Sequence, residues 1–484
     1  MMKRKKVIII FILLITIIIF PNVNLKAADN AKNDNRGYYT YDYWGNVMTS
    51  APAYTFSREL TYSDLNLSDH SAFYSVYYFN DKIYIIDEGL NQIHIVDYNF
   101  NLITSISSFI NDDTLDYFKS PEGITVDKDG KIYIADTGNY RLVVLNPDYS
   151  LDKIIGKPSH LALEGLTFVP VDVGVSYTGR IYVVEEKSTY GILELDNEGN
   201  FLKFTGTNPF SQSIMDIIWR ALMNNEQKKY AYLNLPQQFI SIDVDDDGFI
   251  YATAFTKNDP IKRINFNGNN VLVKNWIYDP IGDIDGSSEF ISVSATDKGI
   301  YAALDRTNGR IFVYNCDGEM LYMFGGLENQ NDYFKLPRDI CWLKNDEIAI
   351  VDQTKSSVVI FEPTPFGSAV NEASRYHYDG LYEEALEYWE LAHKYNANYD
   401  LAYIGIGKAH LFTKNYEEAM EYFKLGNNRN YYSKAYSKYS QEFIKNNFGY
   451  FVVGIALIFI GFKSKKIIRY IRKRKEQDTS VSVL

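Results

Sequence analysis

The stretch Pro121-Glu-Gly-Ile-Thr-Val-Asp127, Lys128-Asp129-Gly130, Lys131-Ile-Tyr-Ile-Ala-Asp136, Thr137-Gly138-Asn139, Tyr140-Arg141-Leu-Val-Val-Leu145 reads as three short strands separated by two tight turns. Each alternating run suits a half-buried or buried strand, and each Asp/Gly/Asn cluster suits a turn whose side chains bond backbone donors. The phrase at its centre, an apolar residue followed by Tyr, recurs at Ile83-Tyr84, Ile132-Tyr133, Ile181-Tyr182, Ile250-Tyr251 and Ile300-Tyr301, with Ile348-Ala349 as a worn sixth copy. The second positions are 49, 49, 69, 50 and 48 residues apart. A repeat of that length built from short strands predicts a β-propeller with one four-stranded blade per copy. No blade buries both faces alone, so six copies must stack around an axis.

Pro at the mouth of the first strand recurs at Pro170, Pro236 and Pro337, where no ladder donor is needed. Copy six stops at Phe361-Glu362-Pro363 without its fourth strand. The segment Tyr39 to Val47 is expected to supply that strand and close the ring, which removes an open sheet edge. The propeller is thus placed at 28–366.

The string Asp136-Thr137-Gly138-Asn139-Tyr140-Arg141-Leu142 resembles the NHL repeat, a six-bladed propeller family, with Tyr140 where the namesake histidine often sits. After Pro365 the period turns helical. Ala373, Gly380, Tyr382, Ala385 and Trp389 are matched 34 residues later by Gly407, Lys414, Tyr416, Ala419 and Phe423. That pattern over 367–446 resembles the tetratricopeptide (TPR) repeat, in which small residues let paired helices approach closely.

The two ends of the chain carry a different signal. Lys3 to Lys6 precede the apolar run Val7 to Phe20, Pro21 breaks it and Leu25-Lys26-Ala27 offers a cleavage site, so 1–27 reads as a signal peptide. Phe448 to Phe462 is uncharged, and eight basic residues follow from Lys463 to Lys475. This predicts a transmembrane helix at 447–464, a basic cytoplasmic tail at 465–484, and a single-pass cell-membrane protein whose body lies outside the cytoplasm. As helix, fifteen residues rise only about 22 Å, so snorkelling of Lys463 and its neighbours has to supply the remainder. Without both basic ends, the body holds 36 basic against 59 acidic residues, −23 in all, which repels phosphate backbones and excludes nucleic acid as a partner.

Candidate chemistry is sparse. Six-bladed propellers include metal-dependent lactonases and lyases, but His70, His94 and His160 stand at unrelated positions of their copies. Asp87, Asp136, Glu185 and Asp352 share one repeat position and read as caps of the turn after the second strand. Asp243-Val-Asp245-Asp-Asp247-Gly248 looks like the start of a calcium loop. Its twelfth position is Ala254 rather than a bidentate Glu, and it aligns with the ordinary blade turn at Asp127. The long interval holds an amphipathic pattern at Ile214, Ile217, Ile218, Ala221 and Leu222, which brings Trp219, Arg220 and Gln227 forward as ligand-binding candidates over the channel. Cys316 and Cys341 fall in a turn and an inner strand of different blades, a poor geometry for a disulfide.

From Tyr38 to about Lys445 the order of modules, with Arg310-Ile311-Phe312 and Tyr416-Glu417-Glu418-Ala419-Met420, resembles a family of bacterial cell-surface proteins joining an NHL-type propeller, a TPR pair and a membrane helix. The resemblance implies a tethered binding scaffold, accessory to a carbohydrate transport system, that meets a protein partner through the propeller face or the TPR groove. No cofactor and no enzymatic activity are implied. The alternative is a metal-dependent hydrolase or lyase with its site in the channel. Four or more acid or amide side chains at one end of the channel would favour that alternative, and an apolar plug would favour the scaffold.

Overall fold

The computed structural model describes residues 38–42, 44–206, 238–256, 259–272, 282–283, 288–327 and 334–481, the last nine as backbone only. The signal-peptide segment 1–27 and the candidates Trp219, Arg220 and Gln227 lie outside the described residues.

Six sheets form the ring. Their innermost strands are β4 (Phe73–Phe79), β10 (Ile124–Val126), β14 (Pro170–Val175), β18 (Phe239–Val244), β21 (Phe290–Ala295) and β25 (Pro337–Trp342). Each lies against the next, and β25 returns to β4, so the ring is closed. The Ile-Tyr phrase runs in the second strand of each blade, as in β11 (Ile132–Asp136), where five successive residues are buried between neighbouring blades. Burial on both faces explains the nearly continuous apolar runs. Blade four shows three strands among the described residues, ending at β20 (Ile261–Ile264).

Closure is by the N-terminal side of the chain, but through a different segment from the one expected. β3 (Tyr54–Thr61) pairs antiparallel with β27 (Ser357–Pro363), from Ser357 opposite Thr61 to Pro363 opposite Tyr54. Tyr39 to Val47 instead folds back on itself, as β1 (Tyr39–Tyr41) paired with β2 (Val47–Thr49). The cause is local: Asp42 Oδ1 accepts from the backbone N–H groups of Trp44 and Asn46, each at 2.8 Å, which bends the segment into a turn. The small hairpin sits against blade five, where Arg310 Nη1 donates to Tyr39 Oη at 2.8 Å and Tyr41 Oη donates to Asp283 at 2.7 Å.

A helical domain of five helices follows: α1 (Pro365–Tyr378), α2 (Tyr382–Tyr395), α3 (Asp400–Phe412), α4 (Tyr416–Leu425) and α5 (Arg429–Val481). Each packs on the next. The small residues of the helical pattern serve the aromatic ones: a Cβ on Gly405 would stand 2.4 Å from the Trp389 ring, and one on Gly407 2.8 Å from Phe423. The domain shares its core with the propeller. Phe366, Val370, Ala373, Trp389, Tyr399 and Ile406 share one buried cluster with Tyr54, Tyr322, Phe324, Trp342 and Phe361 of blades five and six. Inside it Tyr322 Oη donates to Asn371 Oδ1 at 2.5 Å and Asn371 Nδ2 donates to Tyr54 Oη at 3.1 Å.

The expected membrane span is not supported. Among the described residues no helix is long and apolar enough to cross a membrane, which overturns the single-pass cell-membrane placement and the topology derived from it. Phe448 to Phe462 lies within α5, between Lys445 and Lys463. Its uncharged length, about 22 Å as helix, falls short of a hydrocarbon core of about 30 Å.

Candidate functional site

Where the inner strands begin, the ladder slips at one repeated place. The pairing with the second strand jumps from Phe73 to Ser75, Pro170 to Asp172, Phe239 to Ser241, Phe290 to Ser292 and Pro337 to Asp339. Each slip is a β-bulge, and the extra residues are Tyr74, Val171, Ile240, Ile291 and Arg338. A bulge breaks the period of two and re-aims side chains, so two consecutive residues can serve one side of the strand. Blade two reaches the same result with Glu122 and Gly123, which still bond Ala135 just ahead of β10.

These paired positions surround a cavity of about 240 Å³ in the mouth of the central channel, lined from all six blades. Its wall includes Tyr74, Glu122, Asp172, Glu186, Gln238 and Ser241, and it continues with Glu289, Arg306, Arg338 and Asp339. Five carboxylates and one amide therefore face one end of the channel. Tyr77, Thr125 and Asp243 come together from blades one, two and four: the Asp243 charge and the Thr125 hydroxyl both act on the Tyr77 phenol.

Two of the carboxylates are held by neighbouring blades. Asp339 accepts from Ser75 Oγ (2.6 Å) and Val76 N–H (2.8 Å) of blade one, from Ser292 Oγ (2.6 Å) of blade five, and from Ile340 N–H (2.9 Å). Asp172 of blade three accepts from Ile242 N–H of blade four at 2.9 Å. Gly123 makes room for it, since a Cβ there would stand 2.6 Å from the Asp172 Cα. Burial, with the charge of Asp339, pushes the Asp172 carboxyl up to about 7. Burial raises Asp339 as well.

The remaining groups are less fully bonded. Tyr74 Oη donates to Glu122 Oε2 at 2.7 Å and accepts from Arg338 Nη2, whose guanidinium lies 4.1 Å over the Tyr74 ring. Burial, then the charges of Glu88 and Glu186, push Glu122 up to about 7. Burial pulls the Arg338 guanidinium below its ordinary range against the opposing pull of Asp339. Arg306 is paired with Glu289.

The three acids of the calcium-like loop go three ways. Asp243 faces the channel and accepts from Ala295 N–H at 2.8 Å, Asp245 closes its own turn through Phe249 N–H at 2.8 Å, and Asp247 is bonded by Tyr378 Oη. Among the described residues no three His, Cys, Asp or Glu side chains converge to hold a metal ion. The described residues of the mouth therefore offer no converging ligand set for a metal ion. His94 is buried against Asp87 and Ser105, and His160 caps a short 3₁₀ turn. Asp87, Asp136 and Asp352 tie down their turns and the segment leading into the blade: Asp136 accepts from Lys119 N–H at 2.7 Å, and Asp352 from Lys335 N–H at 2.7 Å. Both cysteines are free thiols.

One family comparison agrees with the blade repeat. Residues 118–145 match the family model of the NHL repeat. Among curated proteins none matches the sequence. Similar solved structures include a virginiamycin B lyase from Staphylococcus aureus (11% identity, TM-score 0.41, covering 64% of this chain and 99% of that one). A streptogramin B lyase (12%, 0.39, 64% and 98%) and a protein of unknown function from Bacteroides thetaiotaomicron (11%, 0.43, 66% and 80%) also match. At these values no argument about the site rests on them.

The sequence reading missed Tyr74, Glu122 and Arg338. Aligning the six copies on the Pro or Phe that opens each first strand would have put all three in one column.

Proposed function

We propose that the chain is a binding protein whose propeller takes a small polar molecule in the mouth of its central channel, with the helical domain as the element that meets a protein partner. The observation that carries this reading is the repeated bulge, which turns side chains of different blades into a single cavity. A cavity of about 240 Å³ is smaller than drug-sized pockets, which run to roughly 300 Å³ and above, so the ligand is small. The side of the helices that faces blade five is occupied by the propeller's own hairpin. Asp317 meets His377 at 3.4 Å, and the buried Lys408 lies 3.5 Å from the same ring. A partner therefore uses the outward side.

The test is a thermal-shift screen of the purified chain against small polar compounds. A ligand at a hundredfold excess over its Kd stabilises by about 2.7 kcal/mol. A shift abolished by Glu122→Gln supports the channel site, and a shift unchanged in that variant places the ligand elsewhere. The five carboxylates and one amide at the mouth meet the criterion that the sequence set for the alternative, a metal-dependent hydrolase or lyase, and so support a second reading. No ligand set for a metal converges among the described residues, and the group that favours this reading is Glu122, poised near neutrality and hydrogen-bonded to the Tyr74 hydroxyl, as a general acid–base group. Turnover of a bound compound whose kcat, at concentrations that saturate the variant, falls in Glu122→Gln by more than the weakened binding explains would establish it.

A further inference from the structure

We infer that the ligand of this cavity is a small zwitterion, its anionic group seated on Arg338 and its cationic group between Glu122 and Glu186; the inference rests on the channel reading above.

The ring order sets the charges apart. With six blades in sequence, blades two and three stand opposite blades five and six. The first pair brings Glu122, Asp172 and Glu186 to the cavity, and the second brings Arg306 and Arg338 together with Glu289 and Asp339. Among the described residues, both cations of the lining therefore lie on one side of the mouth, facing a wholly acidic one.

Bonding capacity selects among these groups. Asp172 and Asp339 are occupied by donors of neighbouring blades, and Arg306 is neutralised by Glu289. Arg338 makes no ion pair among the described residues and lends one donor to the Tyr74 hydroxyl. A guanidinium carries five N–H donors in a planar fork that matches a carboxylate or a related oxyanion. Across the Tyr74 hydroxyl, Glu122 accepts one hydrogen bond and feels the charges of Glu88 and Glu186, a like-charge group that a cation relieves.

Spacing narrows the class further. One hydroxyl bridges the guanidinium and the carboxylate, so the two sites lie only two hydrogen bonds apart, on the order of 6 Å. A ligand serving both carries its charges a few bonds apart, as an amino acid or a betaine does. A neutral sugar would leave Arg338 without a counter-ion and the glutamates without a cation. A metal ion would lack a converging ligand set among the described residues.

The experiment is calorimetric titration of the full chain with named probes: the common amino acids, glycine betaine, acetate, methylamine and glucose. The expected result is a zwitterion that binds at least tenfold tighter than acetate or methylamine, with tenfold or greater losses in both Arg338→Met and Glu122→Gln. Since Arg338→Met removes a stacked side chain, Glu186→Gln is the second variant. Glu186 is 45% exposed and its ion pair is with Lys187, itself 80% exposed, a surface pair too weak to occupy the carboxylate, so its replacement should fold normally while weakening the same probe. Glucose binding that survives Arg338→Met overturns the zwitterion and leaves the channel reading standing. A panel without any binder overturns the zwitterion. If the wider screen of polar compounds is also silent, the channel reading falls with it.

Discussion

Replacing Asp339 by Ala should open the seam on which the ring closes. Its carboxylate takes four donors from three blades, two hydroxyls and the backbone N–H groups of Val76 and Ile340. The hydroxyls of Ser75 and Ser292 can turn toward channel water, whereas the two backbone donors are fixed by their strands. Leaving a buried donor unsatisfied costs about 1–3 kcal/mol, so two cost about 2–6 kcal/mol, toward the lower part of that range because Ile340 N–H also reaches Ser292 Oγ at 3.3 Å. Part is offset because the buried carboxylate was itself destabilised, as its raised pKa shows. The expected net loss is about 2–4 kcal/mol. For a propeller of about 300 residues, at about 2.1 cal/mol/K per residue, a loss of 3 kcal/mol lowers Tm by roughly 5 °C. Urea unfolding followed by tryptophan fluorescence, with calorimetry for Tm, measures both quantities. Asp339→Asn keeps one acceptor oxygen and should fall between. Asp129→Ala, at an exposed turn beside Lys128, is the control and should stay within about 0.5 kcal/mol. An Asp339→Ala protein as stable as that control would refute the claim that this carboxylate ties blade six to blades one and five.

Stability should rise on mild acidification. Glu122, Asp172 and Asp243 are all pushed up to about 7, mainly by burial, so the stability tied to their protonation is complete below the unfolded values near 4 and is lost as pH rises through about 7. Tm should therefore fall from pH 5 to pH 8, and a flat or rising profile would count against buried channel acids. Asp116, held down to about 2 chiefly by its hydrogen bond to Arg141, titrates below that window. Gly367→Ala should loosen the helical domain, since its Cβ would stand 2.1 Å from the Ala53 carbonyl oxygen. A cost of about 1–3 kcal/mol and faster proteolysis after Pro363 are expected, and wild-type protection would contradict the shared core. A chain starting at residue 50 should stay monomeric in size-exclusion chromatography, whereas one starting at residue 62 should aggregate through the bare edge of β27. Equal behaviour of the two would refute the assignment of β3 as the closing strand.

The sequence by itself determined the architecture and the turns. Ile132-Tyr133 and its copies are buried on both faces of their sheets, so their apolar character must repeat once per blade and is visible at a glance. Asp87, Asp136 and Asp352 hold the turns that follow, as their position in the repeat implied, whereas the buried Glu185 at the same position makes no such bond among the described residues. Both signals are local, because alternation and turn capping act within a few residues. What only the tertiary structure decided is which residues of different blades meet. The closing strand is Tyr54–Thr61 because the Asx turn at Asp42 bends the earlier candidate into a hairpin. Trp389 fulfils its helical pattern and, with Tyr399 at the cap of α3, also joins Tyr54 and Phe324 in one core, a contact no period encodes. The cavity was hidden for a related reason. Each bulge adds a residue and breaks the alternation by which a strand is recognised, so Tyr74 and Arg338 sat where the pattern fails. Glu122 sits just ahead of its strand. They become one site only when the ring closes and brings blade six beside blade one.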